Sequence, residues 1–346
     1  MKKERIILPV VFLLLIVAGL TQCKGKKDGA EGNTSVINPA GGPETVSESS
    51  LLLNELEKNG DYVNSRNFPS LIRASVVYEE LEGNNLLIDL RDRQSYLRGH
   101  VRDAVNVSFS DLPDYFESAI RPFEYERIIM VCGGGQLSSY AASLLRLMGY
   151  GNVYAMRWGM SGWNMDCARE SWLGGISGKY ENQLETTANE VPAPAEMPDL
   201  KTGYHSGNEI LDARFRKLFA EGIDSVLISA GEVFKNPGQY FIINFERKDK
   251  YEDGHIPGAV RYKPDATLGF PDVMSTIPPD QVVVVYCGTG HNSGFATAFL
   301  RLFGYDARTL RYGNNSFMYD RMIRDKSRLS WLPFTADESE NFPLVK

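Results

Sequence analysis

The sequence predicts an α/β protein of two tandem domains, each a parallel β-sheet flanked by helices. The first observation is an internal repeat, in which residues 86–107 align with residues 241–262 at a constant offset (241 − 86 = 155). The second is that apolar strands alternate with helical patterns in the same order in both copies. A repeat period this long indicates duplicated domains rather than a solenoid.

Each copy presents its elements in the same order. A short helix, SVVYEEL or SAGEVF, precedes an apolar strand, LLIDL or YFIINF, and a Gly-His turn follows. A second apolar strand, RIIMVC or QVVVVYC, then leads through a glycine-rich loop into the helix SSYAASLLRLMGY or SGFATAFLRLFGY. Apolar residues recur in these helices at spacings of three and four, which predicts one face packed on a sheet. Continuous Val and Ile runs indicate strands covered on both faces, as in parallel sheets.

The first residues predict an export signal. A positive start, MKKER, precedes the apolar run IILPVVFLLLIVAGL, which is shorter than the ~20 residues of a membrane-spanning helix. The next residues, LTQC, resemble a bacterial lipobox in which Cys23 is lipidated, although Gln22 replaces the usual small residue. The alternative is an uncleaved membrane anchor. Either interpretation places the protein in the bacterial cell envelope, tethered to a membrane and facing the periplasm or the exterior.

Composition divides the chain into five segments. Residues 1–22 are the expected signal peptide, and residues 23–66 form a flexible tether rich in Gly, Ser and charge. Residues 67–175 and 206–346 hold the two predicted domains. The polar, Pro-bearing residues 176–205 are the expected linker between them.

Overall charge and histidine content exclude some classes of function. The chain has 37 basic and 44 acidic residues, a net charge of −7, which gives no general attraction to nucleic acid. We therefore expect no nucleic-acid partner. Four histidines without a Cys-x-x-Cys pair make no zinc-like pattern, and neither a metal nor a cofactor is indicated. The oligomeric state stays open.

The cysteines that follow the second strand of each copy, Cys132 and Cys287, are the candidate nucleophiles. Open parallel sheets bind ligands at the carboxyl ends of their strands. A free thiol with a pKa near ~8.5 is mostly protonated at neutral pH, and the thiolate is the nucleophile. Because N–H groups of a glycine-rich loop and a helix N-terminus attract anions, we expect the loop to lower the pKa of Cys287. The alternative is that the cysteine is a small buried hydrophobe.

These segments resemble a known family. A D-x-R-like segment, GH-[IV]-x-x-A and the loop C-x-x-G-x-x-S occur twice in this order across most of residues 68–335, with RWGMSGW at 157–163. The pattern is similar to that of tandem rhodaneses, with His100 and His255 as fold markers. The resemblance implies a sulfurtransferase whose loop cysteine takes a sulfane sulfur from thiosulfate or a thiol persulfide. The persulfide then passes to a thiol or to cyanide, so the implied partners are a small sulfur donor and a thiol acceptor.

The resemblance gives a set of candidate site residues around the cysteines. We favour Cys287 over Cys132, because tandem members usually do their chemistry in the second copy, whose loop here is also more polar. The substrate-binding candidates of the second copy are Gly288, Thr289, Gly290, His291, Asn292 and Ser293. Those of the first copy are Gly133, Gly134, Gly135, Gln136, Ser138, Asp89 and Arg91. His291 is expected to be either a solvated loop residue or a group that steadies an anion.

Departures from the family pattern support two further hypotheses. Leu137 and Asn292 stand where members often carry a cationic or hydroxyl residue, and Asn244 and Glu246 replace the acidic and basic strand-end residues of the first copy. These changes favour a catalytically weak or inactive binding or sensor module. A third hypothesis is a redox relay between a loop cysteine and Cys167.

Overall fold

The computed structural model describes residues 46–264, 267–324 and 331–346 of the 346-residue chain. The predicted signal peptide and the lipidation site at Cys23 lie outside these ranges. Among the described residues, no helix has the length and apolar character needed to cross a membrane. Two parallel five-stranded sheets follow one another along the chain, which confirms the predicted fold class.

The first sheet is built from residues of the first copy. Its strands are β1 (Leu71–Ile72), β2 (Asn85–Asp89), β3 (Val105–Asn106), β4 (Arg127–Val131) and β5 (Val153–Met156). They lie in the order β1-β5-β4-β2-β3 and are all parallel. The helices in this part of the chain are α1 (Glu48–Lys58), α2 (Ala74–Glu79), α3 (Arg93–Arg98), α4 (Leu112–Asp114), α5 (Gln136–Leu147), α6 (Met160–Trp163), α7 (Met165–Glu170) and α8 (Trp172–Gly175).

The second sheet repeats this arrangement. Its strands are β6 (Leu227–Ile228), β7 (Tyr240–Asn244), β8 (Val260–Arg261), β9 (Val282–Tyr286) and β10 (Ala307–Leu310). They lie in the equivalent order, β6-β10-β9-β7-β8, again all parallel. The described helices here are α9 (Gly207–Glu221), α10 (Ala230–Lys235), α11 (Lys248–Asp253), α12 (Pro271–Met274), α13 (His291–Leu302) and α14 (Tyr319–Arg324).

The central strand β9 illustrates why the apolar runs form the middle of each sheet. Its sequence is VVVVY, and its last four residues are buried. Val283 pairs with Phe241 of β7 on one side and with Ala307 of β10 on the other. Branched side chains fit the pleated surface of a strand that is covered on both faces. The residue that follows β9, Cys287, therefore lies at the carboxyl edge of the sheet, as Cys132 does after β4.

Equivalent helices of the two copies, α5 and α13, pack against each other. The Ser143 hydroxyl donates a hydrogen bond to the main-chain oxygen of Phe295 at 3.0 Å. Gly294 approaches α5 so closely that a Cβ on it would lie 2.9 Å from the main-chain oxygen of Gln136. Because each helix directly follows a cysteine loop, this contact also brings the two loops close to each other.

Residues 48–58, which the sequence analysis assigns to the flexible tether, form the helix α1. Ser47 caps it by accepting a hydrogen bond from the Ser50 N–H, and Leu52, Leu53 and Leu56 are buried. The helix packs on α9 of the second copy. This apolar stripe is short and follows residues rich in Gly and Ser, and its partner α9 lies far along the chain. The helix is therefore not evident from the sequence.

The segment that follows each copy pairs with the other copy. Glu185, in the predicted linker, forms an antiparallel bridge with His255, and Val345 forms the same bridge with His100. The sequence predicts that residues 342–346 belong to the second domain, whereas in the structure they pack on the first. An irregular tail has no periodicity from which its distant partner can be predicted.

Phe342 anchors this tail on the first copy. Its ring stacks on Tyr78 with ring centres 4.0 Å apart and meets Trp163 edge-on at 5.0 Å. The indole N–H of Trp163 also donates to the main-chain oxygen of Pro343 at 3.0 Å. These contacts cover aromatic surface that would otherwise face solvent.

We expect Phe342→Ala to lower the free energy of unfolding by about 2 kcal/mol, since it removes a half-buried aromatic cluster. Phe123→Ala is the matched control, because Phe123 is 74% exposed. We expect its effect to stay within about 0.5 kcal/mol. Urea denaturation followed by tryptophan fluorescence measures the free energy of unfolding of both variants. Equal losses of stability in the two variants would contradict the role of Phe342 as an anchor.

Candidate active site

The two loop cysteines occupy equivalent and buried positions. Cys132 is 4% exposed and Cys287 is 5% exposed. The third residue after each cysteine, Gly135 or Gly290, is the N-cap of the next helix and has a positive φ, 88° and 79° respectively. Glycine adopts this backbone conformation without steric cost, so the loop can turn sharply back toward the sulfur. The described cysteines, Cys132, Cys167 and Cys287, are all free thiols.

The loop of the first copy surrounds its sulfur with donors. The N–H groups of Gly135 and Ser138 point at Cys132 Sγ from 3.1 Å and 3.3 Å. The thiol in turn lies 3.4 Å from the Ser138 hydroxyl. This is the arrangement of backbone dipoles that the sequence predicts around a loop cysteine.

Other side chains hold the backbone of the same loop. The Trp172 indole donates to the Gly134 oxygen at 2.9 Å, and the Ser161 hydroxyl donates to the Gly133 oxygen at 2.9 Å. Asn315 repeats the second contact in the other copy, where it donates to the Gly288 oxygen at 2.8 Å. The carbonyls of both loops are thus fixed by the residues that follow the last strand of each sheet.

The strand-end pair of the first copy, Asp89 and Arg91, forms a buried ion pair. Arg91 Nη2 lies 2.7 Å from Asp89 Oδ2 and also donates to the Gly99 oxygen at 2.8 Å. Asp89 is fully buried. The pair therefore fixes the Gly-His turn, and the Arg91 charge also acts on Cys167, where burial raises the thiol pKa and Arg91 opposes the rise.

The thiol of Cys287 is less acidic than the sequence analysis expects. Burial raises its pKa, and the nearby Glu246 carboxylate raises it further, although the N–H groups of Ser293 and Thr289 act in the opposite direction. The Ser293 hydroxyl lies 3.7 Å from Cys287 Sγ. The prediction of a lowered pKa is therefore wrong for this cysteine, because desolvation outweighs the loop dipoles.

A cavity of about 550 Å³ opens on the Cys287 loop. The loop contributes Cys287, Gly288, Thr289 and Asn292 to its wall. Basic residues outnumber acidic ones in the rest of the lining. The basic residues are Arg247, Lys248, Lys250, Arg261 and Lys263, and the acidic ones are Glu246 and Asp249. Such a cavity favours an anionic ligand next to the sulfur.

These cations are not among the site residues predicted from the sequence. Four of the seven charged lining residues follow directly on Glu246 in the run ERKDK, just after β7. Because the carboxyl end of β7 lies beside that of β9, charges after β7 must lie near the cysteine loop. Strand order, which the sequence alone did not give, is the missing signal.

His291 lies outside this cavity, in contrast to its expected place in a substrate-binding or solvated loop. It is 1% exposed, and its Nε2 accepts a hydrogen bond from the Trp158 N–H at 3.0 Å. Its Nδ1 lies 2.7 Å from the Thr289 hydroxyl. Burial lowers the pKa of His291 to about 3, and the Arg157 charge contributes. A neutral imidazole buried between the copies neither carries a positive charge to an anion nor meets solvent.

Gln136, which occupies the equivalent position in the first copy, also crosses to the other copy. Its Nε2 donates to the main-chain oxygen of Thr289 at 2.9 Å, and its side chain is 2% exposed. A Cβ on Gly290 would lie 3.0 Å from Cγ of Gln136. Gln136 and His291 therefore each reach across to the opposite copy, and neither lines the cavity at Cys287. Their assignment as substrate-binding residues stays a prediction.

His100 and His255 share one structural role. Each imidazole stacks on the tyrosine four residues earlier, Tyr96 or Tyr251, with ring centres 3.8 Å and 3.7 Å apart. Nδ1 of each faces the main-chain oxygen of the same tyrosine. Within the described ranges, no group of histidine, cysteine and acidic side chains is arranged to hold a metal ion.

The chain matches one family model and several curated proteins. The model of the rhodanese-like domain matches residues 73–166 and 196–319. Curated relatives include tRNA uridine(34) hydroxylases, from Prochlorococcus marinus strain MIT 9312, 29% identical over 128 residues, and from Buchnera aphidicola, 28% identical over 139 residues. These matches cover 35% and 38% of this chain but only 39% and 45% of the relatives, under half of their length.

Solved structures give distant matches. A thiosulfate sulfurtransferase from Pseudomonas aeruginosa is 16% identical and covers 86% of this chain and 50% of its own, with a TM-score of 0.28. A rhodanese-related protein from Thermoplasma volcanium is 20% identical and covers 27% of this chain and 89% of its own, with a TM-score of 0.25.

We expect the His291 imidazole to stay neutral between about pH 5 and about pH 8, because burial depresses its pKa. Ring nitrogen chemical shifts in an NMR titration measure its protonation. A short unfolded peptide with the sequence of residues 289–293 serves as the control and should titrate near ~6.5. A midpoint for His291 inside this pH range would contradict the buried, neutral assignment.

Proposed function

The chain belongs to the rhodanese-like domain family, and from that premise we propose that it is a sulfurtransferase whose working cysteine is Cys287. Family membership supports a function in sulfur transfer. The proposed donor is thiosulfate or a thiol persulfide, and the proposed acceptor is a thiol or cyanide. The reaction is a two-step covalent exchange through a persulfide on the loop cysteine.

The chemistry balances without a further reactant. The Cys287 thiolate attacks the outer sulfur of thiosulfate, a new S–S bond forms, and the old S–S bond breaks as sulfite leaves with its electron pair. An acceptor thiolate or cyanide then attacks the outer sulfur of the persulfide, and Cys287 leaves as thiolate. No electrons are gained or lost overall.

The observation that carries the proposal is the cation-lined cavity at Cys287. Thiosulfate and sulfite are anions, and the five basic residues of the lining favour their entry. The Thr289 and Asn292 side chains add polar contacts at the loop itself. This arrangement also supports the choice of Cys287 over Cys132 as the working cysteine.

A second candidate function is a catalytically weak or inactive rhodanese-like module that binds an anion or a partner. One observation favours it: burial and Glu246 raise the pKa of Cys287, so the thiol form predominates at neutral pH. Such a module would hold an anion in the same cavity without forming a persulfide.

We also propose that the protein acts in the bacterial cell envelope, anchored through a lipid on Cys23. The support is the charged start, the apolar run and the LTQC sequence at the N-terminus. A small sulfur donor and a thiol acceptor on that side of the membrane are the proposed partners.

We expect incubation of the full-length chain, purified in detergent, with thiosulfate or glutathione persulfide to add the mass of one sulfur. Intact-protein mass spectrometry measures the gain, and added cyanide should remove it. Cys287→Ser should abolish the gain, whereas Cys132→Ser should retain it. If neither donor produced a gain, the binding module would be the better account.

We expect Lys263→Ala to slow persulfide formation from thiosulfate about five-fold, because it removes one exposed cation, worth about 1 kcal/mol, from the cavity. Lys235→Ala is the matched control, since Lys235 is an exposed lysine outside the cavity lining. The difference between the variants should shrink as salt is added. Equal rates at low salt would argue against attraction of the anion by the cavity.

A further inference from the structure

We propose that Glu246 is the acid–base residue that exchanges a proton with the thiol partner during sulfur transfer, and that the preferred donor is a thiol persulfide. This inference rests on the proposed function and narrows it. A departing thiolate is a strong base that gains from a proton donor, whereas sulfite leaves readily without one. A carboxyl beside the nucleophile therefore indicates the kind of leaving group that the site handles.

The position of Glu246 places it beside the reacting sulfur. It lies two residues after the end of β7, is 7% exposed and lines the same cavity as Cys287. Its Oε1 is so close to Gly288, the residue after Cys287, that a Cβ on this glycine would lie 3.3 Å from it. Its Oε2 accepts a hydrogen bond from Asn314 Nδ2 at 2.8 Å. The carboxyl is thus held against the cysteine loop.

The charged and titratable groups around Glu246 set its acidity. Burial raises its pKa to about 7, while the hydrogen bond from Asn314 and the charge of Lys250 act in the opposite direction. Tyr286 and Cys287 face it from β9 and its loop. Arg261, on β8, donates from Nε to the Glu246 main-chain oxygen at 2.9 Å. The other charged residues of the cavity wall are Arg247, Lys248, Asp249 and Lys263.

A carboxyl of this acidity is present in both protonation states near neutral pH, which suits proton transfer in either direction. Burial in one cavity also makes two negative charges on Glu246 and Cys287 unfavourable, since each raises the cost of ionising the other. Because burial raises the pKa of the Cys287 thiol above its ordinary value while the pKa of Glu246 is about 7, a single negative charge on the pair rests on Glu246. A reaction cycle that moves this charge between Glu246 and Cys287 never requires both groups to be negatively charged at once.

Loading begins when the Glu246 carboxylate takes the proton of the Cys287 thiol, which gives neutral Glu246 and the Cys287 thiolate. The thiolate attacks the outer sulfur of a persulfide R–S–SH, the Cys–S–SH bond forms, and the R–S bond to that sulfur breaks. The departing RS⁻ takes the proton of Glu246 and leaves as RSH. The negative charge has moved from Cys287 to Glu246.

The unloading step returns the site to the state in which it attacks the donor. The Glu246 carboxylate takes the proton of an acceptor thiol R′SH, and R′S⁻ attacks the outer sulfur of Cys287–S–SH. The product R′S–SH leaves, Cys287 becomes a thiolate, and Glu246 is neutral again. No oxidant, reductant or cofactor enters either step.

The first copy cannot use this cycle. The equivalent of Glu246 is Arg91, whose guanidinium binds Asp89 and the Gly99 oxygen. A guanidinium keeps its proton at any physiological pH and accepts none. The inference therefore restricts acid–base sulfur transfer to the second copy.

The test compares acceptors that do and do not have a proton to lose. The full-length chain with Cys132→Ser, in detergent, is loaded at Cys287 with thiosulfate or glutathione persulfide and freed of donor. Loss of the sulfur is then followed by mass spectrometry after addition of glutathione or of sulfite. We expect Glu246→Gln to slow unloading by glutathione at neutral pH roughly 100-fold and to leave unloading by sulfite unchanged.

The pH profile gives a second readout. Because the carboxylate is the proton acceptor, the rate of unloading by glutathione in the parent should rise with pH through about 7 and then level. Glu246→Gln should remove this step. Glu252→Gln is the matched control, since it makes the same change to an exposed glutamate that lies outside the cavity lining.

Each outcome separates the inference from the function on which it rests. Equal unloading by glutathione in the parent and Glu246→Gln, with loading intact, would overturn the role of Glu246 and leave the sulfurtransferase standing. If Glu246→Gln slowed unloading by glutathione and unloading by sulfite equally, the role of Glu246 would be merely structural. No loading of the parent from either donor would overturn the sulfurtransferase itself, and the role of Glu246 with it.

Discussion

The packing of α5 against α13 is the contact on which the rest of the molecule depends. Both helices begin directly after a cysteine loop, so the position of each loop is set by where its helix lies on the other copy. Gln136 and His291, the first residues of the two helices, reach across this contact to the opposite copy. The two loops are therefore parts of one buried polar network. Such a network is stable only when every member has a partner.

Much of the fold follows from the repeat. The offset that relates Cys132 to Cys287 also relates their strands and helices, and the alternation of strand and helix is enough to predict two parallel sheets. What the sequence analysis missed depends on contacts between distant residues. The partner of His291 is Trp158, in the other copy, and nothing in the loop CGTGHNS indicates it. The acidity of Cys287 also could not be predicted, because loop dipoles are visible as glycines whereas the extent of desolvation appears only after folding.

The two copies place different side chains at equivalent positions of one scaffold. In the first, Asp89 and Arg91 neutralise each other and fix the turn before His100. In the second, Asn244 and Glu246 stand at the same positions, and the carboxyl turns to the cysteine loop and accepts from Asn314. From sequence alone this exchange suggests the loss of a functional pair. In the folded chain it removes an internal ion pair and leaves a buried carboxyl beside Cys287, in a cavity to which the residues after the same strand contribute three of the five cations.

The bridge between Val345 and His100 has a consequence for the order in which the protein is built. The first sheet is synthesised long before the tail that covers Tyr78 and Trp163, so a growing chain presents this aromatic surface uncovered until its last residues emerge. Contacts that join the two ends of a chain form late and slowly, because a long loop must close first. The first copy is thus synthesised first but completes its packing last.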